Sequence, residues 1–205
     1  MKVKDVAVLG GGSFGTVIAN IIAHNGHKTK LWMRDAQQVE ILNRDRENPN
    51  YLPGYTLHEN IQAIQDLEAA IADADMIFVA VPSTSFRDVV SQMKPFLREG
   101  TILVSLTKGI EAANFSLMSQ ILSEELPDSK VAVVSGPNLA KEIATLSPTG
   151  AVVASTDAEV RKEVQETLRS ANFRVYANDD MLGVELGGSL KNIYAIMAVL
   201  ADARG

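Results

Sequence analysis

The chain has 205 residues and no cysteine, which excludes disulfides and thiolate chemistry and fits a reducing compartment. Its 46% of hydrophobic residues can bury a sizeable core, yet no apolar run reaches the roughly 18 residues of a transmembrane helix. The net charge is −6 with acids and bases interspersed, which argues against a nucleic-acid or anionic-membrane surface. Any anionic ligand must then be held by a local cationic pocket. Met1-Lys2-Val3-Lys4-Asp5 runs straight into apolar sequence without the design of a signal peptide, so a cytoplasmic protein is expected. Residues 6–9 predict a strand, 13–24 a helix, and 28–33 a second strand after an Asn25-Gly26-His27 turn. A helix over 36–44 leads into a polar loop at 45–60. Apolar strands follow at 76–81, 102–106 and 131–134, near-continuous in the manner of strands buried on both faces. Helices at about 84–94 and 115–125 separate them.

Beyond residue 145 the rhythm changes. Two short strands, 151–154 and 174–176, flank a helix opened by a capping box of Thr156 with Glu159. The last segment, 181–204, is one helical pattern. Its residues Leu182, Leu186, Leu190, Ile193, Met197 and Leu200 form an apolar stripe that needs a second domain or a partner subunit to pack on. The alternation as a whole predicts an α/β fold, a Rossmann-like, doubly wound and mostly parallel sheet over residues 1–180. The histidines His24, His27 and His58 read as solvated surface residues, and no metal site is expected.

Gly10-Gly11-Gly12-Ser13-Phe14-Gly15 follows a strand and opens a helix. Gly10 permits the tight turn, Gly12 lets a pyrophosphate approach the backbone, and Gly15 allows close packing of helix on strand. The helix N-terminus adds unpaired N–H groups for phosphates. A glycine turn without a ligand is the bland alternative, and the flanking elements argue against it. At the end of the second strand, Leu31-Trp32-Met33-Arg34-Asp35, no acid occupies 31–34. Arg34 is placed to meet a 2′-phosphate, which favours NADP(H), while Asp35 leaves NAD(H) open. Read blandly, Arg34 is a solvated charge.

Ligands of open parallel sheets bind beyond the carboxyl ends of the strands. There the chain carries Val81-Pro82-Ser83, Thr107-Lys108-Gly109 and Ser135-Gly136-Pro137-Asn138. Lys108 can meet an anionic or carbonyl oxygen, although a lone strand-end lysine is usually a surface charge. Gly136 and Asn138 offer close backbone approach and a polar amide, although turn chemistry explains them nearly as well alone. In Glu185-Leu186-Gly187-Gly188-Ser189-Leu190-Lys191-Asn192, Gly187 and Lys191 share a helix face. Two glycines inside a helix cost about 1 kcal/mol each, which suggests a notch for a ligand or a second backbone. Lys191 above such a notch can exchange protons when desolvated, or snorkel as a surface lysine.

Taken together, these motifs, with Tyr51-Leu52-Pro53-Gly54 and Leu139-Ala140-Lys141-Glu142, resemble the bacterial type of NAD(P)-dependent glycerol-3-phosphate dehydrogenase over essentially the whole chain. The resemblance implies cofactor contacts from Ser13, Phe14, Arg34, Lys108 and Ala140. It implies a substrate site at Lys108, Gly136, Asn138 and Lys191, with Lys191 as proton donor and acceptor and Lys108 as a charge stabiliser. The implied reaction reduces dihydroxyacetone phosphate to sn-glycerol 3-phosphate, the backbone of glycerophospholipids. The implied assembly is a homodimer.

Members of this family continue into an all-helical domain carrying further groups for the substrate phosphate. Residues 181–205 would be its first helix, and Tyr194–Gly205 is bulkier there than the family prefers. The expectation is therefore a fragment or shortened relative that binds cofactor with little or no turnover. Two competing readings are a relative of the 6-phosphogluconate or 3-hydroxyisobutyrate dehydrogenases and a non-catalytic NAD(P)H-binding module. Against the first, Lys191 and Asn192 are adjacent and Gly136-Pro137-Asn138 is present. Against the second, both Lys108 and Lys191 are retained.

Overall fold

A computed structural model describes residues 2–203, apart from the side chain of Asn192. Residue 204, the last of the expected terminal helix, lies outside the described residues. Eight strands form one sheet: β1 (Asp5–Leu9), β2 (Lys28–Trp32), β3 (Ile61–Ile64), β4 (Met76–Val79), β5 (Ile102–Ser105), β6 (Lys130–Ser135), β7 (Thr149–Ala154) and β8 (Phe173–Asn178). Their spatial order is β3-β2-β1-β4-β5-β6-β7-β8. All neighbours are parallel except β6 and β7. The chain winds outward from β1 through β2 to β3, then returns to build the other half from β4. The strand order therefore reverses between β1 and β4, which opens a crevice at their carboxyl ends.

The helices are α1 (Ser13–His24), α2 (Ala36–Asp45), α3 (Leu67–Ile71), α4 (Phe86–Met93), α5 (Met118–Glu125), α6 (Ala140–Ala144), α7 (Ala158–Leu168) and α8 (Met181–Asp202). They cover both faces of the sheet. Val6, Val8, Phe78 and Val104 pack on one face with Ile18 and Ile22 of α1. Ala7, Leu9, Ile77 and Leu103 pack on the other with Phe86, Met93, Ile121 and Leu122. Every residue of β4 and β5 is buried, so these strands read as unbroken apolar runs and not as alternating ones.

The structure corrects four expectations. β3 and α3 fall in sequence where no element was expected; β3 has four residues, of which Ile61 and Ala63 are buried and Gln62 is exposed. So short an edge strand carries almost no periodic signal. The N-cap of α7 is Asp157, not Thr156: the Asp157 carboxylate accepts from the N–H groups of Glu159 and Val160 at 2.9 and 3.3 Å. His27 is buried, not solvated, because the parallel pairing of β1 and β2 brings its Nδ1 against the Lys4 N–H, at 3.1 Å. Finally, the stripe on α8 is not its packing face. Leu182, Ile193, Met197 and Leu200 are exposed, and Glu185 alone is buried among the α8 residues whose burial is described. The inward row is made of Glu185, Gly188 and Ser189, which share a face at spacings of three and four.

No single helix among the described residues is long and apolar enough to cross a membrane. The halves of α8, Met181–Lys191 and Ile193–Asp202, reach that length and composition only together, and they are bent by 49°.

Candidate active site

The cleft at the switch point has a volume of about 740 Å³ and is walled by the glycine turn, the ends of β2 and β4, and the segments around Lys108 and Asn138. This is the size of a small-molecule or cofactor site. Gly10 and Gly15 of the turn are each required sterically. Gly10 sits at φ 120°, and a Cβ there would lie 2.6 Å from the Ala80 carbonyl oxygen. A Cβ on Gly15 would overlap the Gly10 carbonyl oxygen, so helix and turn could not close up. Gly12 differs: a Cβ there meets nothing within 4 Å, so its surface is open to the cleft. Gly12 is also the N-cap of α1 without a side-chain cap, and no acid sits in the first turn. The first N–H groups of α1 are thus left for an anion, and the dipole end favours one.

A loop braces the turn. Buried Asn48 donates from Nδ2 to the Gly11 carbonyl at 2.9 Å and to Thr16 Oγ1 at 2.8 Å. The Ser13 hydroxyl donates to the Tyr51 carbonyl at 2.6 Å. Asn48 is a supporting residue that sequence reasoning missed, since a lone Asn in a polar loop carries no periodic or motif signal. Phe14 and Ala140 both line the cleft.

At the far end of the turn, Arg34 and Asp35 also line the cleft. The Asp35 carboxylate is engaged: it caps α2, accepting from the N–H groups of Gln37 and Gln38 at 2.9 and 3.2 Å. Arg34 is exposed, and its guanidinium has no hydrogen-bond partner among the described residues. Its carbonyl accepts from Gln65 at 3.0 Å, which holds the backbone and leaves the side chain to the cleft.

Lys108 closes the opposite end. Its Nζ donates to the Gly136 carbonyl at 2.7 Å. Burial, and next the nearby Lys191 amine, push its pKa down to about 8. The Lys191 amine is thus near Lys108, but of the four residues expected at the substrate site only Lys108 and Asn138 line the cleft; Gly136 and Lys191 do not. The close approach at Gly136 is to protein backbone: a Cβ there would lie 2.9 Å from the Gly150 carbonyl of β7. Asn138 is 7% exposed and lines the cleft, yet neither its Oδ1 nor its Nδ2 has a partner among the described residues. An amide buried without partners costs about 1–3 kcal/mol, and a ligand in the cleft could satisfy it.

The glycine pair of α8 behaves differently from expectation. Gly187, on the face shared with Lys191, meets open space. The notch is at Gly188, whose missing side chain admits the Ser135 hydroxyl, with Lys108 Cγ also nearby. One residue on, Ser189 Oγ accepts from the Gly109 N–H at 3.1 Å. Gly109 itself, at φ 143°, packs against Ser83. The notch thus serves contact between protein segments.

Residues 5–161 match the family model described as the NAD-dependent glycerol-3-phosphate dehydrogenase N-terminus. The chain is 54% identical over 200 residues to the glycerol-3-phosphate dehydrogenase [NAD(P)+] of Teredinibacter turnerae, covering 98% of this chain and 59% of that protein. It is likewise 54% identical over 202 residues to the enzyme of the same name from Pseudomonas entomophila, again covering 98% and 59%. Among solved structures, glycerol-3-phosphate dehydrogenase from Coxiella burnetii superposes with a TM-score of 0.91 at 38% identity, covering 98% of this chain and 61% of that one. The chain therefore spans about three-fifths of the length of these relatives. The open glycine turn, the switch-point cleft and these likenesses together place the chain in the NAD-dependent glycerol-3-phosphate dehydrogenase family.

Proposed function

We propose that this cleft binds a nicotinamide dinucleotide, and that the site belongs to an enzyme reducing dihydroxyacetone phosphate to sn-glycerol 3-phosphate. The observation that carries the reading is one cleft bounded at one end by open Gly12 and the uncapped start of α1, and at the other by Lys108, with Lys191 near that lysine but outside the lining. The names of the relatives support it. The turn Gly10 to Gly15, with Ser13 and Phe14, would hold the pyrophosphate, and Ala140 and Lys108 would border the nicotinamide end. Arg34, free where Asp35 is occupied by its cap, favours NADP(H) over NAD(H).

When bound, the cofactor supplies the hydride for the ketone carbon. The chain's own groups then manage charge on the ketone oxygen. Lys191 gives that oxygen its proton, and the Lys108 ammonium stabilises the negative charge that grows there. With a pKa near 8, Lys108 remains mostly cationic at neutral pH. Asn138 would hold the substrate, and Gly136 would support that site by holding Lys108 through its carbonyl. In this reading residues 1–180 are the nucleotide-binding domain and α8 begins a helical one. The enzyme would act in the cytoplasm, as a homodimer, and feed glycerophospholipid synthesis. For these 205 residues taken by themselves we propose cofactor binding with little or no turnover, since they span 59% of the relative's length.

Fluorescence titration with NADPH and NADH, followed by an absorbance assay with dihydroxyacetone phosphate, tests this. Saturable NADPH binding is expected, and Arg34→Ala should weaken it about tenfold relative to NADH, the worth of one charge-assisted contact. Absence of binding to either cofactor would sink the reading, and robust turnover by the 205-residue chain would sink its last part.

A further inference from the structure

We infer that Glu185 is a positioning residue of this site: its carboxylate, bound at the start of α5, pins α8 to the body of the protein so that the Lys191 amine is held beside Lys108. Neither the glycine turn nor the strand-end motifs point to this residue. Its importance rests on the reading of the two lysines given above.

Glu185 is 7% exposed and is the one buried residue among the α8 positions whose burial is described. Its Oε1 accepts from the Ser119 N–H at 3.0 Å, and its Oε2 accepts from the Ser119 hydroxyl. The Met118 N–H also acts on it. The carboxylate thus occupies the first turn of α5, where unpaired N–H groups and the dipole favour negative charge. Burial pushes its pKa up, and the bonds from Ser119 and Met118 oppose that shift.

The contact belongs to a row. Glu185, Gly188 and Ser189 lie on one face of α8 and meet Ser119, Ser135 and Gly109 in turn. Lys191 follows two residues later, and every described side chain from Ile193 onwards is exposed. The placement of Lys191 therefore depends on this short row. Apolar packing tolerates rotation of a helix about its axis; a carboxylate gripped by directed N–H and O–H donors does not. A buried charge is also an expensive way to fasten a helix unless orientation matters.

Lysine labelled with ¹³C at Cε reports the test in the 205-residue chain. In the wild type Lys108 should titrate near 8, lowered first by burial and next by Lys191, the charged group acting on it. Lys191→Met should raise that midpoint part of the way towards the ordinary lysine value of about 10.4, burial retaining the rest of the shift. Glu185→Gln, whose amide can accept from one donor but presents its NH₂ to the others, should raise it too, by up to the rise that Lys191→Met gives. Ser119→Ala, which keeps the backbone donor, should give a smaller rise and covers the case in which Glu185→Gln does not fold. Met197→Gln, on the exposed half of α8, should leave the midpoint in place. A Lys108 midpoint unmoved in folded Glu185→Gln and in Ser119→Ala would overturn the inference, as would one unmoved by Lys191→Met. NADPH titration of the wild type judges the proposed function separately, because the lysine midpoints are read without any cofactor.

Discussion

Two apolar helices stand by the site, α1 lining the cleft and α8 packed behind Lys108 and Gly109, and they are held by opposite means. On α1, Val17, Ile18, Ala19, Ile22 and Ala23 are buried against the sheet, and the polar business of the helix is confined to its open N-terminus. On α8 the buried side chain is a carboxylate, the close contacts are made by a glycine and a serine, and Tyr194, Ile196, Met197, Val199 and Leu200 are exposed. An apolar face lets a helix settle where area is best removed from water, which suits α1, whose task is to present its own backbone end. Directed bonds fix rotation about the axis, which suits a helix that must aim one long side chain.

Mutations at the two helices should separate these modes. The largest effect is expected at Gly15. Alanine there overlaps the Gly10 carbonyl, so the turn must open; a loss of about 4 kcal/mol or more in urea unfolding is expected, together with loss of cofactor binding. Ile22→Ala tests the apolar anchoring of α1 directly and should lower stability by about 3 kcal/mol, the usual range for a buried aliphatic side chain.

The adjacent glycines of α8 should diverge in sign. Alanine at Gly188 crowds the Ser135 hydroxyl, which can turn away, so a loss of about 1–2 kcal/mol is expected. Alanine at Gly187 meets open space and should stabilise by roughly 0.5–1 kcal/mol through helix propensity alone. Equal effects at the two positions would show that α8 does not sit as described. The smallest change belongs to the exposed half: Met197→Gln should alter the unfolding free energy by less than about 0.5 kcal/mol. A larger loss would mean that this surface is covered in solution.

Much of the sheet was legible because its signals are local. Apolar runs at β4, β5 and β6, and a glycine turn between a strand and a helix, need no knowledge of distant residues. β3 was not legible, because four residues with two inward side chains resemble any loop. Lys108 and Lys191 were recognisable as candidates by motif, but Glu185 was not singled out, since an acid in a helix is ordinarily a solvated residue. Its meaning depends on Ser119, 66 residues away. The α8 stripe misled for the same reason: periodicity reports which residues share a face, not which face is covered.

What the sequence by itself determined is the set of elements made by neighbours along the chain: the alternation that builds a parallel sheet, and the glycines a phosphate-sized turn requires. What only the tertiary structure decided is which groups meet across it, namely Asn48 under the turn, Lys108 against Gly136, and Glu185 against Ser119. Backbone sterics and hydrophobic period act over a few residues and leave a trace in sequence, whereas a hydrogen bond between distant segments leaves none until the fold has brought its donor and acceptor together.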